Sequence, residues 1–124
     1  MRIRISVGNI SLEGELFETP CGKEIMRILP IEGTVRRWGD EIYFEIPLSY
    51  PLDETATTKV KSGHIGYWPP GRALALFFGP TPLSNSEEPV PASEVNLVGC
   101  IKEGEKALKA VKEGERIRIE GLGD

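Results

Sequence analysis

Both ends of the chain alternate apolar side chains with charged or polar ones, and this constrains the fold more than any other feature. Ile3, Ile5 and Val7 are interleaved with Arg2, Arg4 and Ser6, and Ile117 and Ile119 stand among Glu115, Arg116, Arg118 and Glu120. Period-two alternation marks a strand with one face in a core and the other in water. Two such terminal strands carry open edges unless they are paired. A barrel that joins its first strand to its last removes both edges at once.

The middle of the chain supplies the remaining strands. Gly8-Asn9 separates the first strand from residues 10–17, which predicts an opening hairpin. Residues 33–38, 41–46, 63–68, 72–78 and 95–101 read as further strands, with Gly39-Asp40 as a tight turn between the first two. The clearest is 41–46: Ile42, Phe44 and Ile46 point one way, and Glu41, Tyr43 and Glu45 the other. Strand 33–38 has no single phase. Val35 shares a face with Arg37, but Trp38 shares one with Arg36, so either arginine can stand outside beside Tyr43 and Glu45. Thr19 as N-cap, Pro20 at the first position and the stripe Ile25, Met26, Ile28, Leu29 predict a helix that ends before Pro30. A second helix is expected over 103–112, with Ala107, Leu108 and Val111 on one face, a Glu105–Lys109 pair, and Gly114 as its stop. The expectation is a mainly β fold: one domain over residues 1–124, a closed barrel of about eight strands and two short α-helices.

Bulk properties exclude several classes of function. A net charge of -4 argues against a nucleic-acid binder that works by neutralising phosphates. No apolar run approaches the roughly 20 residues of a membrane span. The alternating N-terminus is unlike the apolar core of a signal peptide, so a cytoplasmic protein is expected. Cys21 and Cys100 form no CxxC pair and read as reduced structural thiols. With His64 they do not make a metal site by spacing, and neither a metal nor another cofactor is expected.

The segment Tyr67-Trp68-Pro69-Pro70-Gly71-Arg72 leads into an apolar strand that stops at Gly79-Pro80. Proline donates no ladder hydrogen bond, so this entry is not what a core strand needs. A proline-stiffened aromatic loop beside a sheet builds a binding face, which makes Tyr67, Trp68, Phe77 and Phe78 candidate ligand contacts. The alternative is that these aromatics plug a barrel end. Residues 50–60 and 81–93 read as long loops, which in small domains are often functional.

Three stretches resemble the cyclophilins. Residues 95–104 and the helix after them resemble the VVFGKVxEG-plus-helix ending of that family; residues 70–80 resemble its PGxLxMANxGP strand; Arg37 and Glu45 have the spacing of the arginine and glutamine in its FHRxxxxFMxQGGD strand pair. More closely, the chain resembles a small family of atypical cyclophilin-like proteins of bacteria and archaea, through its YWPPGRALALFFGPTP and PVPASEVNLVG blocks. That resemblance implies a closed cyclophilin-like β-barrel with a groove on its outer wall. It also implies a possible peptidyl-prolyl isomerase, which rotates an X–Pro bond whose barrier is about 18–20 kcal/mol. Such an enzyme needs an apolar proline pocket and an arginine that hydrogen-bonds the prolyl nitrogen as resonance is lost. Arg37 takes that role by resemblance, with Arg36 as the alternative; Tyr43 takes a pocket wall and Glu45 the place of the glutamine.

The departures point away from catalysis. Residues 80–99 are shorter than the matching part of true cyclophilins, and residues 89–95 contain no aromatic and no histidine to replace their pocket residues. The expected function is therefore binding of a proline-containing peptide or small ligand, with weak or absent isomerase activity. Two other readings stay open: a homodimer or assembly module that buries Tyr67, Trp68, Phe77 and Phe78, and a small-carboxylate binder that uses Arg36, Arg37 and Arg72.

Overall fold

The structure, a computed structural model, describes residues 1–123. Its terminal strands pair with each other. β1 (Arg2–Val7) runs antiparallel to β10 (Arg116–Gly121), with Ile5 opposite Ile119, and on its other side to β2 (Ile10–Leu16). The remaining strands are β3 (Ile31–Thr34), β4 (Arg36–Arg37), β5 (Glu41–Glu45), β6 (Ala56–Thr57), β7 (His64–Trp68), β8 (Ala73–Phe77) and β9 (Val95–Ile101). Among the described residues they form one ten-stranded sheet in the order β3-β10-β1-β2-β9-β7-β8-β5-β4, with β6 attached to β9.

The two ends of that order, β3 and β4, are neighbours in sequence, separated only by Val35. The sheet must therefore curl until its edges meet, and the result is a nearly closed barrel. Val35 is the seam. Its N–H donates to the Glu115 carbonyl and its carbonyl accepts from the Gly114 N–H, both at 2.9 Å, while its side chain is fully buried. This break splits the single strand expected at 33–38. Together with the short β6, it raises the count above eight.

Alternation fills the barrel as expected. Ile3, Ile5, Ile42, Phe44, Ile65, Leu74, Phe78, Val98 and Ile119 share one core. Burying each large apolar side chain contributes about 1.5–3 kcal/mol before entropy is counted. Helix α1 (Pro20–Ile28) starts at Thr19, whose hydroxyl accepts from the Gly22 N–H at 3.0 Å, and it buries Ile25 in that core.

The second helix differs from expectation. It is a 3-10 helix over Glu105–Ala110, in which residues three apart eclipse. Leu108 and Val111 are buried, but Ala107 is exposed. The Glu105–Lys109 pair does not form: Glu105 accepts from Ser62 Oγ at 2.9 Å, and Lys109 reaches Asp40 at 3.5 Å.

The long loops are tied down by polar side chains. Asn96, fully buried, accepts from the Asp53 N–H at 2.8 Å and donates to the Pro51 carbonyl at 2.9 Å. Thr81 Oγ1 donates to the Val90 carbonyl at 2.5 Å, and Ser84 Oγ donates to the Glu88 carbonyl at 2.7 Å. The second loop thereby folds back over the barrel wall, with Pro89 and Pro91 buried. Among the described residues no helix is long and apolar enough to cross a membrane.

Candidate functional site

The outer wall of the barrel is built by the residues of β5, β8 and β7 that alternation turns away from the core. Tyr43 lies opposite Ala75, and Ala75 opposite Gly66, so one bulky ring stands beside two small residues. A second apolar cluster forms on this outer face from Val60, Ala75, Phe77 and Val95, with Tyr43 and Trp68 packed against it. The fit is close at Gly66, where an added Cβ would lie 2.7 Å from Val95 Cγ2. Tyr43 and Trp68 meet edge to face, with ring centroids 6.4 Å apart and planes at 72°. The Trp68 indole N–H donates to Ser93 Oγ at 2.7 Å.

Between these rings and the returning loop lies a pocket of about 220 Å³, lined by Trp38, Glu41, Tyr43, Trp68, Pro91 and Val95. Glu41 is its one acidic group. Strand alternation turns Glu41 outward as expected, yet it is only 8% exposed, and Pro91, Ala92 and Val95 line the same pocket. Its Oε1 is shielded and has no hydrogen-bond partner, and among the described residues no cation pairs with the carboxylate. Burial pushes the Glu41 carboxyl up to about 8, with no neighbouring charge to draw it back.

A tight turn positions these groups. The Trp38 N–H donates to the Glu41 carbonyl at 2.9 Å, and Gly39 takes a φ of 63° between them. Glycine is required there twice over: the positive φ suits it, and an added Cβ would lie 2.9 Å from Thr81 Cα. The Asp40 N–H donates to the Pro80 carbonyl and its carbonyl accepts from the Phe78 N–H, each at 2.9 Å.

Arg37 lies at the other end of this turn, with four of its five N–H donors engaged. Its Nε donates to the Gly39 carbonyl at 2.9 Å. Nη1 donates to the carbonyls of Lys109 and Val111 at 2.9 and 2.7 Å, and Nη2 pairs with Asp40 at 3.0 Å. The guanidinium also stands 5.2 Å from the centre of the Phe78 ring. Arg37 thus ties the turn to the end of the 3-10 helix. Arg36 is exposed, opposite Tyr43 in the β4–β5 pair. It lines a second, larger hollow of about 680 Å³ with Tyr43, Glu45 and Glu113, so Tyr43 borders both hollows. Glu45 pairs with Arg72 at 2.8 Å on the open surface.

Three of the aromatics expected to contact ligand are interior. Tyr67 is 0% exposed, and its hydroxyl donates to the Leu48 carbonyl at 2.6 Å. Phe78 belongs to the barrel core and Phe77 to the outer cluster, both with no exposed surface. Of the four aromatics, Trp68 alone keeps part of its surface exposed. Both cysteines are free, and burial pushes the Cys21 thiol up to about 11.

The family model described as cyclophilin-like matches residues 1–120. The chain belongs to the cyclophilin-like family. A hypothetical protein from Archaeoglobus fulgidus, whose structure was determined in solution, is 39% identical to it and superposes with a TM-score of 0.82; the match covers 98% of this chain and 95% of that one. No curated protein matches the chain. In this cyclophilin-like domain the structure brings together Tyr43 and Trp68 of the expected residues. It adds Trp38, Glu41 and Pro91, which sequence reasoning did not single out. The available signal was the outward phase of Glu41 beside Trp38. What covers that face comes from residues far along the chain, and no local pattern announces it.

Proposed function

We propose that this cyclophilin-like domain is a binding module whose outer-wall pocket takes a small ligand or one side chain of a peptide, with weak or absent prolyl isomerase activity. One observation carries the reading: a largely apolar, aromatic pocket with a single convergent polar group, Glu41, that the protein itself leaves unpartnered. Ligand sites combine these two properties, and a fully satisfied core does not.

The bonding of Arg37 opposes strong catalysis. A guanidinium that stabilises a twisted prolyl amide needs a free N–H aimed at the nitrogen. Arg37 spends four of its five donors on three carbonyls and Asp40. Breaking those bonds during each turnover opposes the preorganisation on which such catalysis depends.

Exchange NMR on an Ala-Pro-Phe peptide tests the catalytic half. The expected result is an exchange rate within a few-fold of the uncatalysed one. A large acceleration that disappears in Arg37→Ala and persists in Arg116→Ala would overturn it. The indole N–H signals of Trp38 and Trp68 test the binding half, through titration with the same peptide and with small apolar fragments. Saturable shifts support the pocket; silence to every probe sinks it.

A further inference from the structure

Glu41 has no counter-ion, and three aromatic rings line the pocket beside it. From this we infer that the pocket is a receptor for an organic cation: an alkylated ammonium head group held against Trp38, Tyr43 and Trp68 and neutralised by Glu41. The inference rests on the reading of the pocket as a binding site and names the chemical class of its ligand.

Complementarity decides among the classes. Aromatic faces carry negative quadrupole potential and attract cations, most strongly when the cation is desolvated. The edge-to-face pair of Tyr43 and Trp68, with planes at 72°, makes a corner with two walls. The Trp68 N–H is satisfied by Ser93, so it asks nothing of the ligand. An anion would meet both the rings and the Glu41 carboxyl. A neutral apolar ligand would fill the space and leave Oε1 buried without a partner, which is costly. A cation satisfies the rings and the carboxylate together. The volume of about 220 Å³ is below the range for drug-sized ligands, so the pocket takes one head group and not an extended molecule.

Charge accounting agrees with this choice. Glu41 is protonated in the empty pocket near neutral pH, because burial alone holds its carboxyl high. Tyr43 is the other titratable side chain at the pocket. A bound cation favours the carboxylate, so binding releases a proton from Glu41 and strengthens as pH rises towards 8.

The head group has two sources, a free small-molecule amine or an N-methylated lysine side chain. The experiment titrates the protein with choline, with a short peptide carrying trimethyllysine, and with 3,3-dimethylbutan-1-ol, the neutral carbon isostere of choline. The indole N–H signals of Trp38 and Trp68 are followed by NMR at pH 6 and pH 8.5. Expected are saturable shifts with one or both cations, at least tenfold tighter than with the isostere, and tighter at pH 8.5. The Glu41→Gln variant should lose the tenfold preference and the pH dependence while still binding the isostere. Choline alone identifies a free amine; the peptide alone identifies a modified side chain. Equal or tighter binding of the isostere overturns the cation and leaves the pocket a binding site. Silence to all three probes, with shifts from apolar fragments or from Ala-Pro-Phe, removes the cation in the same way. Silence to every probe overturns both readings.

Discussion

Arg37 and Glu41 flank one tight turn, and the protein treats the two ionisable groups in opposite ways. Arg37 has four hydrogen bonds, an acidic partner and an aromatic face beneath it. Glu41, more deeply buried, has none of these. A charge whose bonding capacity is spent on its own backbone works as a structural clamp. A buried carboxyl left without a partner either destabilises the fold to no purpose or waits for something to bind. The arginine holds the position that the family resemblance implies for catalysis, whereas the glutamate alone of the two keeps a buried oxygen without a partner.

The largest effect that tests this contrast is on stability. Arg37→Ala strands the carbonyls of Lys109 and Val111 and removes the nearer of the two cationic partners of Asp40, so denaturant unfolding should show a loss of about 3 kcal/mol. Arg36→Ala, on an exposed site, should change stability by no more than about 0.5 kcal/mol. Similar losses for both would mean that Arg37 is not a clamp.

The next effect sharpens the Glu41 half. Its carboxyl titrates at about 8 in the folded protein, against an ordinary value of 4.5. The folded state therefore holds the proton more tightly than the unfolded chain does. The stability that this protonation contributes is fully present below pH 4.5 and is lost progressively as pH rises through 8. Relative to wild type, Glu41→Gln should gain on the order of 2–4 kcal/mol across that window. Parallel stability–pH curves for the two proteins would show that the carboxyl is not buried as described.

A smaller effect probes the interior. Tyr67→Phe removes a hydroxyl that donates to the Leu48 carbonyl and accepts from the Tyr50 N–H, and it should cost about 1–2 kcal/mol in thermal or denaturant unfolding. It should leave the chemical shifts of Trp38 and Trp68 in place. Tyr67 faces the core while those two line the pocket. A shift at both indoles would mean that the barrel interior and its outer wall are coupled.

Much of the fold is legible in the chain, because period-two alternation and turn residues act locally. The inward set of Ile42, Phe44 and Ile46, the cap at Thr19 and the Gly39-Asp40 turn follow from neighbours in sequence, and the pairing of the two ends was legible because alternation marks both as half-buried strands with edges to hide. The phase of 33–38 did not, because Val35 belongs to a seam where one strand passes from one edge of the sheet to the other. Such a break is defined by Gly114 and Glu115, which are distant in sequence. The second helix took 3-10 form, with Leu108 and Val111, three apart, both buried in the core, and propensity alone does not distinguish that from an α-helix.

Composition and alternation by themselves determined a β-barrel with one apolar inner set and Glu41, Tyr43 and Glu45 on its outside. Which outside residues stay in water was decided only by the tertiary structure. Glu41 is buried in a pocket it shares with Pro91, Ala92 and Val95, whereas Glu45 stays exposed and pairs with Arg72. Likewise the backbone of residues 109–111 claims Arg37 and leaves Arg36 free at the surface. Alternation fixes the side of the sheet a residue occupies, because it is a property of the strand. Burial and partnership depend on what returns to cover that side, because desolvation and hydrogen bonding act between groups close in space and not in sequence.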